Sequence, residues 1–366
     1  KFLFPIVIID EDFRSENASG LGIRALAAAI ESEGFEVLGA TSYGDLSQFA
    51  QQQSRASAFV LSIDDEEFGG GSIEETDHAL KSLRAFVEEG ANLVDTAPAY
   101  GQGVAEKIIG KIIHTDLRRE DVVIATKGGF GVHGGQRSVD ASRGAMLDDL
   151  AASLRRLHTD HVDLWQVHAW GDAPLEETLA AMDHAVSSGM ARYAGISNFI
   201  GWQTARAATW QQAAPNRTPL VSGQVEYSLL ARRAEIEVLP ALQAHGMGLF
   251  PWSPIGRGVL TGKYRSGLPR DSRGASNHFG WFVHPYLETK SRAITDAVVR
   301  ASQGLDLRPE QVAMLWVRDA PVVTAPLLGA RTLEQLRPCL DIDDITLPEP
   351  IIAALDDVTG GTNHLR

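Results

Sequence analysis

Seven short apolar runs, separated by amphipathic stretches, constrain this chain more than any other feature. They are NLVDTA (92–97), VVIATK (122–127), DLWQVH (163–168), AGISNF (194–199), VSGQVEY (221–227), GLFPWSP (248–254) and VVTAPLLGA (322–330). Val, Ile, Leu and Phe fill them without strict alternation, as in parallel strands buried on both faces. Segments 142–157, 175–188, 234–245 and 291–303 carry the helical period between them. Repetition at roughly 25–40 residues per unit predicts a β/α barrel rather than a doubly wound sheet. A closed barrel of this kind has eight strands. The missing one must come from upstream, and SAFVLSI (57–63) is the nearest candidate.

The first 67 residues differ in character. They hold 12 acidic and 4 basic side chains, a net of −8 out of −14 for the whole chain, which predicts a boundary with 1–67 on one side and 68–366 on the other. Their order, FPIVIID, LGIRALAAAIESEG, FEVLGAT, GDLSQFAQQQS and SAFVLSI, reads as a flavodoxin-like βαβαβ segment. Gly69, Gly70 and Gly71 then read as a linker, since they lack the spacing of a phosphate-binding turn. Asp10, Glu11 and Asp12 read as a solvated acidic loop, and no metal site is expected.

Net charge argues against nucleic acid or an anionic membrane as the main partner, while leaving room for a dinucleotide in a local basic or amide-rich pocket. The apolar run Phe2–Ile9 is too short to span a bilayer, and no targeting or membrane segment is expected. Cys339 is the single cysteine, so an intrachain disulfide is excluded and a reducing, cytoplasmic setting fits.

Active sites of β/α barrels sit at the C-terminal ends of the strands. Asp95, Lys127 and His168 stand at the ends of three neighbouring runs, and Tyr100 follows Asp95 closely. Together they form a coherent set for adding a hydride and a proton to a carbonyl. A tyrosine with its free pKa of ~10 is a reluctant acid at neutral pH. A nearby ammonium stabilises the phenolate, and a buried carboxylate keeps the ammonium charged. Tyr100 is thus expected as proton donor, Lys127 as its tuner and Asp95 as the anchor of Lys127. His168 would donate a hydrogen bond to the carbonyl oxygen.

DTAPAYG (95–101), ATKGG (125–129), DLWQVH, GISNF (195–199), QVEYS (224–228), PWSPIGRGVLTGK (251–263) and LLGARTLEQL (327–336) resemble the aldo-keto reductase family, in family order, over about residues 72–360. The resemblance implies a (β/α)8 TIM barrel and the same tetrad. It also implies a nicotinamide cofactor. Ser197, Asn198 and Gln224 would hold the carboxamide, and Trp252 would stack on the ring. The loop Ser253, Pro254, Ile255, Gly256, Gly258, Leu260 would wrap the pyrophosphate, and Gly329, Arg331 and Gln335 would meet the adenosine end. Arg331 as partner of a 2′-phosphate favours NADPH over NADH. Cys339 stands where the family commonly has an asparagine near adenine, and reads as a buried, inert thiol.

The family's usual first strand is absent. Residues 1–67 instead resemble the N-terminal wing domain of bacterial ornithine/lysine/arginine decarboxylases, without the pyridoxal-phosphate domain. Both families are cut at the junction, the pattern of a natural or engineered chimera, and strand 57–63 is expected to replace the first barrel strand. Three functions follow as alternatives. One is an NADPH-dependent reductase of small aldehydes or ketones. A second is a chimera that keeps the fold with little activity. The third is a regulatory module that holds NADPH. The wing-like segment offers a route to self-association. Trp170, loop 129–141 and the insertion 264–287 with Phe279, Trp281, Phe282 and Tyr286 either line an aromatic substrate pocket or pack on the rim over the cofactor.

Overall fold

The computed structural model describes residues 6–9, 37–40, 60–62, 73–133, 136–270, 272–276, 280–330 and 332–360. The chain divides into two compact units, Lys1–Ala56 and Ser57–Arg366. In the first, β1 (Ile6–Ile9) and β2 (Val37–Ala40) pair in parallel, with Ile6 opposite Val37. The helices expected in this unit lie outside the described residues, as do Asp10, Glu11, Asp12 and the three glycines at 69–71.

The second unit is built on eight parallel strands. They are β3 (Val60–Ser62), β4 (Leu93–Asp95), β5 (Val123–Gly128), β8 (Val162–Val167), β9 (Ala191–Ser197), β10 (Leu220–Glu226), β11 (Gly248–Trp252) and β12 (Leu327–Leu328). A separate antiparallel hairpin, β6 (Phe130–His133) with β7 (Gln136–Val139), follows β5. The sheet order is β11-β10-β9-β8-β5-β4-β3-β12. Its ends meet where Leu249 bridges Val323 in parallel, with Leu249 N donating to Val322 O at 2.9 Å and Thr324 N to Leu249 O at 2.8 Å. The sheet therefore curls in the manner of a TIM-like barrel.

Strand β3 lies inside this ring, with Val60 opposite Leu93 on one side and Leu327 on the other. This is why the structural division falls at 56/57 and the compositional one at 67/68. Charge density records solvent exposure, whereas compactness records the two ladders that β3 makes with the sheet.

Eleven α-helices are described. They are α1 (Ile73–Glu88), α2 (Val104–Thr115), α3 (Arg143–Leu157), α4 (Leu175–Ser187), α5 (Gly201–Gln212), α6 (Ala234–Ala244), α7 (Gly280–Val283), α8 (Thr289–Leu305), α9 (Pro309–Arg318), α10 (Leu333–Leu340) and α11 (Glu349–Thr359). None of the described helices is long and apolar enough to cross a membrane.

Strand alternation sorts the side chains into two layers. Val94, Ile124, Trp165, Val167 and Ile196 face outward and join the helices in the main core. Ala125, Leu164, Phe250 and Leu327 face inward and form a small apolar plug with Leu93 and Trp252. The same inward register carries Asp95 two residues beyond Leu93, Lys127 beyond Ala125 and Gln166 beyond Leu164. Polar side chains thus end up above an apolar floor, at the C-terminal mouth of the sheet.

Two irregular stretches are more ordered than their sequences suggest. The 129–141 segment is the β6–β7 hairpin, closed by Asp140 N donating to Gly129 O at 2.9 Å. Gly129 takes a φ of +84°, and a Cβ there would lie 2.8 Å from Met146 Sδ. The described part of 264–287 folds into short helical turns at Arg273–Ala275, α7 and His284–Tyr286. Phe279 lies outside the described residues.

Candidate active site

Asp95 closes β4, Lys127 lies in β5, and His168 follows β8 directly. Tyr100 begins the turn that joins β4 to α2. That turn runs through Gly101, Gln102 and Gly103 with φ of 53°, 53° and 87°. Three consecutive left-handed residues reverse the chain sharply, which Gly101 and Gly103 tolerate without strain. Gly103 has a second reason to be glycine, because a Cβ there would lie 2.6 Å from Arg156 Nε.

The reversal brings Tyr100 onto Lys127. Lys127 Nζ donates to Asp95 Oδ2 at 2.6 Å and to Thr96 O at 3.1 Å, and lies 3.1 Å from Tyr100 Oη. Side-chain exposure is 0% for Lys127 and 1% for Asp95. Burial alone would push the lysine down, but the Asp95 carboxylate, Tyr100 and the hydrogen bonds to both outweigh it and hold the ammonium above the usual lysine range. The second Asp95 oxygen accepts from Gln224 Nε2 at 2.9 Å and Gln166 Nε2 at 3.5 Å.

Burial, with a smaller push from Lys127, lowers the His168 imidazole to about 3. It is therefore neutral at physiological pH, with one ring nitrogen a donor and the other an acceptor. Its Nδ1 is buried without a hydrogen-bond partner. Phe130 and Tyr100 set their rings near its edge, at centroid distances of 5.1 and 6.0 Å.

Ser197, Asn198 and Trp252 form a chain beside this centre. Ser197 Oγ donates to Gln224 O at 3.0 Å, and Asn198 Nδ2 to His168 O at 2.9 Å. Trp252 Nε1 donates to Asn198 Oδ1 at 3.0 Å. Asn198, Ser253 and Arg257 all take φ between 55° and 58°. Such conformations are costly for non-glycine residues and cluster where geometry serves a ligand.

A cavity of about 700 Å³ opens from Tyr100 and His168. It runs past Asn198, Gln224 and Trp252, along Ser253, Pro254, Ile255 and Gly258, to Gly329, Gln335 and Cys339. Ser197 and Leu260 are buried behind that wall rather than on it. Gly256 is also buried, and its φ of +58° and the nearby Leu230 side chain suit glycine. Leu260 is a core residue whose N–H bonds Ile255 O at 3.2 Å, which holds the loop. Arg331 lies outside the described residues. Burial pushes the Cys339 thiol up to about 12, so it is protonated and inert at neutral pH.

Sequence reasoning missed the cations on this wall, Arg257, Lys263, Arg273 and Arg308. Nothing in the sequence separates them from ordinary solvated cations. Arg257 grips Glu226 through both arms, at 2.8 and 2.7 Å, and donates to Phe282 O at 2.5 Å. Its guanidinium lies 3.7 Å from the Phe282 ring centroid and 4.7 Å from that of Tyr286. Phe282 in turn stacks on Trp252, centroids 6.3 Å apart and planes at 21°. The insertion therefore packs over the cavity rim through Phe282 and Tyr286. Trp170 packs instead between Phe199 and Trp202, 5.2 Å from each.

An elongated cavity with aromatic and amide groups at one end and cations along its wall fits a dinucleotide. Among the described residues, no group of three or more His, Cys, Asp or Glu side chains is placed to hold a metal ion.

Comparison with known proteins agrees with this chemistry. Residues 67–359 match the aldo/keto reductase family, and residues 18–100 match the N-terminal domain of Orn/Lys/Arg decarboxylases. The chain is 35% identical over 308 residues to "Uncharacterized oxidoreductase YrpG" of Bacillus subtilis, covering 80% of this chain and 90% of that protein. It is 35% identical over 285 residues to "Probable voltage-gated potassium channel subunit beta" of Arabidopsis thaliana, covering 74% and 83%. It is 31% identical over 306 residues to L-glyceraldehyde 3-phosphate reductase of Escherichia coli, covering 79% and 83%. With a tetrad of Asp, Tyr, Lys and His at the mouth of a curled parallel sheet and a family match that spans most of its length, the chain belongs to the aldo/keto reductase family and is an oxidoreductase of that type.

Proposed function

We propose that the chain reduces aldehydes or ketones with NADPH, using Tyr100 as proton donor. The observation that carries this reading is Lys127, sealed from solvent and hydrogen-bonded to both Asp95 and Tyr100. When bound, NADPH supplies the hydride. Tyr100 passes its hydroxyl proton to the carbonyl oxygen, and the Lys127 ammonium stabilises the phenolate left behind. Asp95 keeps that ammonium charged although both side chains are closed to solvent. Neutral His168 donates to the carbonyl oxygen and orients it.

In this reading Asn198 and Gln224 hold the carboxamide, with Ser197 bracing them, and Trp252 supports the nicotinamide ring. Residues 253–258 line the pyrophosphate, with Arg257, Lys263 and Arg273 as counter-charges. Gly329, Arg331 and Gln335 meet the adenosine end, and Arg331 as partner of a 2′-phosphate favours NADPH over NADH. A lone buried cysteine suits a reducing setting and supports a cytoplasmic location.

A second reading has its own observation. Similarity to a protein named as a potassium-channel subunit supports a module that holds NADPH and regulates a partner. The decarboxylase-type match at 18–100 supports a chimeric origin, with a flavodoxin-like front unit that promotes self-association. One experiment separates the readings: an NADPH fluorescence titration followed by an assay with 4-nitrobenzaldehyde. Binding with turnover that Tyr100→Phe abolishes supports the reductase. Binding without turnover supports the regulatory module or an inactive chimera, and absence of binding defeats all NADPH-dependent readings.

A further inference from the structure

Glu106 is a wholly buried carboxylate outside the tetrad. It stands in the first turn of α2, just after the turn that carries Tyr100. Thr126 Oγ1 donates to its Oε1 at 2.7 Å, and Arg156 Nε to its Oε2 at 2.6 Å. Arg156 belongs to α3, where it also donates to Ser153 Oγ at 3.1 Å. A carboxylate removed from water needs such partners to be tolerated. Here its two oxygens tie α2 to two different elements.

The tie to β5 falls next to the chemistry. Alternation turns Thr126 outward to the helix layer and Lys127 inward to the site. Glu106 thus fastens the helix behind the Tyr100 turn to the residue preceding Lys127. Bare backbone at Gly103 and Gly110 permits the close fit. A Cβ at Gly103 would lie 2.6 Å from Arg156 Nε, and one at Gly110 would lie 2.5 Å from Arg156 O. The 3.1 Å approach of Lys127 Nζ to Tyr100 Oη joins β5, from its opposite face, to the turn that leads into α2. An ångström of slippage between them would take that contact beyond hydrogen-bond range.

We infer that Glu106, held by Thr126 and Arg156, is a positioning residue that sets Tyr100 against Lys127. The inference rests on the proposed carbonyl reduction, in which Tyr100 gives up its proton. Thr126→Val removes the hydroxyl donor with little change in volume, Thr126→Ser retains it, and Glu106→Gln removes the ion pair with Arg156. Two readouts apply to each variant. One is kcat and KM for 4-nitrobenzaldehyde. The other is the tyrosinate absorbance titration of Tyr100, isolated by subtracting that of Tyr100→Phe.

In Thr126→Val and Glu106→Gln we expect kcat to fall about tenfold with KM little changed. The Tyr100 titration should move upward as its ammonium recedes. Thr126→Ser should restore both. Loss of thermal stability with kcat and the titration unchanged would show a purely structural role and overturn the inference. If the wild-type protein reduces no carbonyl, the proposed reaction fails on its own, and the tyrosinate titration still decides the positioning role. Glu106→Gln supplies both readouts if Thr126→Val does not fold.

Discussion

The Lys127 ammonium meets the Asp95 carboxylate at 2.6 Å with both side chains closed to solvent. Removing one member of such a pair strands the other charge in a medium that cannot solvate it, a loss of about 3–5 kcal/mol. Lys127→Met should therefore lower the urea midpoint strongly as well as abolish activity. Lys127→Met with Asp95→Asn should recover much of the stability and none of the turnover. Paired denaturation and activity measurements check both outcomes.

Tyr100→Phe removes only the hydroxyl. Loss of a positioned proton donor costs about 10²–10⁴ in kcat. NADPH affinity, measured by fluorescence, should stay near the wild-type value, because the cavity wall keeps its ring at that position.

His168 gives a pH signature of known sign. Its folded imidazole lies at about 3, while an unfolded histidine lies near ~6.5. Between these values the unfolded chain binds the extra proton, so stability is fully present above the upper value and falls as pH falls through the window, by up to about 1.4 kcal/mol per unit. Melting temperatures of wild type and His168→Gln measured between these limits should converge toward the acid end. A constant difference across the window would contradict the assignment.

Arg257 joins Glu226 to the aromatic cover made by Phe282 and Tyr286. Arg257→Lys keeps the charge but loses the planar, two-armed grip and the ring stacking. We expect NADPH to dissociate about tenfold faster from Arg257→Lys and faster still from Arg257→Ala, read by stopped-flow fluorescence. Equal rates in all three proteins would mean that the cover does not restrain the ligand.

Cys339 is buried, with its thiol pushed up to about 12. Iodoacetamide at mildly alkaline pH should leave it unlabelled in the folded protein and modify it fully in denaturant, as mass spectrometry would show.

Much of this molecule is legible in the sequence. All seven apolar runs contain a strand of the curled sheet, because burial on both faces imposes a composition that survives without context. Asp95, Lys127 and His168 stood out because a strand's C-terminal end is a fixed address in this architecture, and Tyr100 because it follows Asp95 closely. The β6–β7 hairpin was not legible, because Gly131, Gly134 and Gly135 mask its strand pattern. The wall cations Lys263 and Arg273 were equally hidden, since an arginine or lysine in a polar stretch reads as solvated until a cavity forms around it.

Sequence alone determined the succession of the barrel strands and of the helices between them, and the identity of the groups able to move a proton. Those properties are local, set by apolar runs, the helical period between them and side-chain chemistry. The sequence offered 57–63 as the missing strand, and the tertiary structure decided that Val60–Ser62 pairs with β4 and β12 and that Glu106 reaches Thr126 and Arg156. It also decided that Lys127 is held charged while His168 is held neutral a short distance away. Ladder pairing, desolvation and the approach of one charge to another depend on residues remote in the chain, and arise only when the sheet closes.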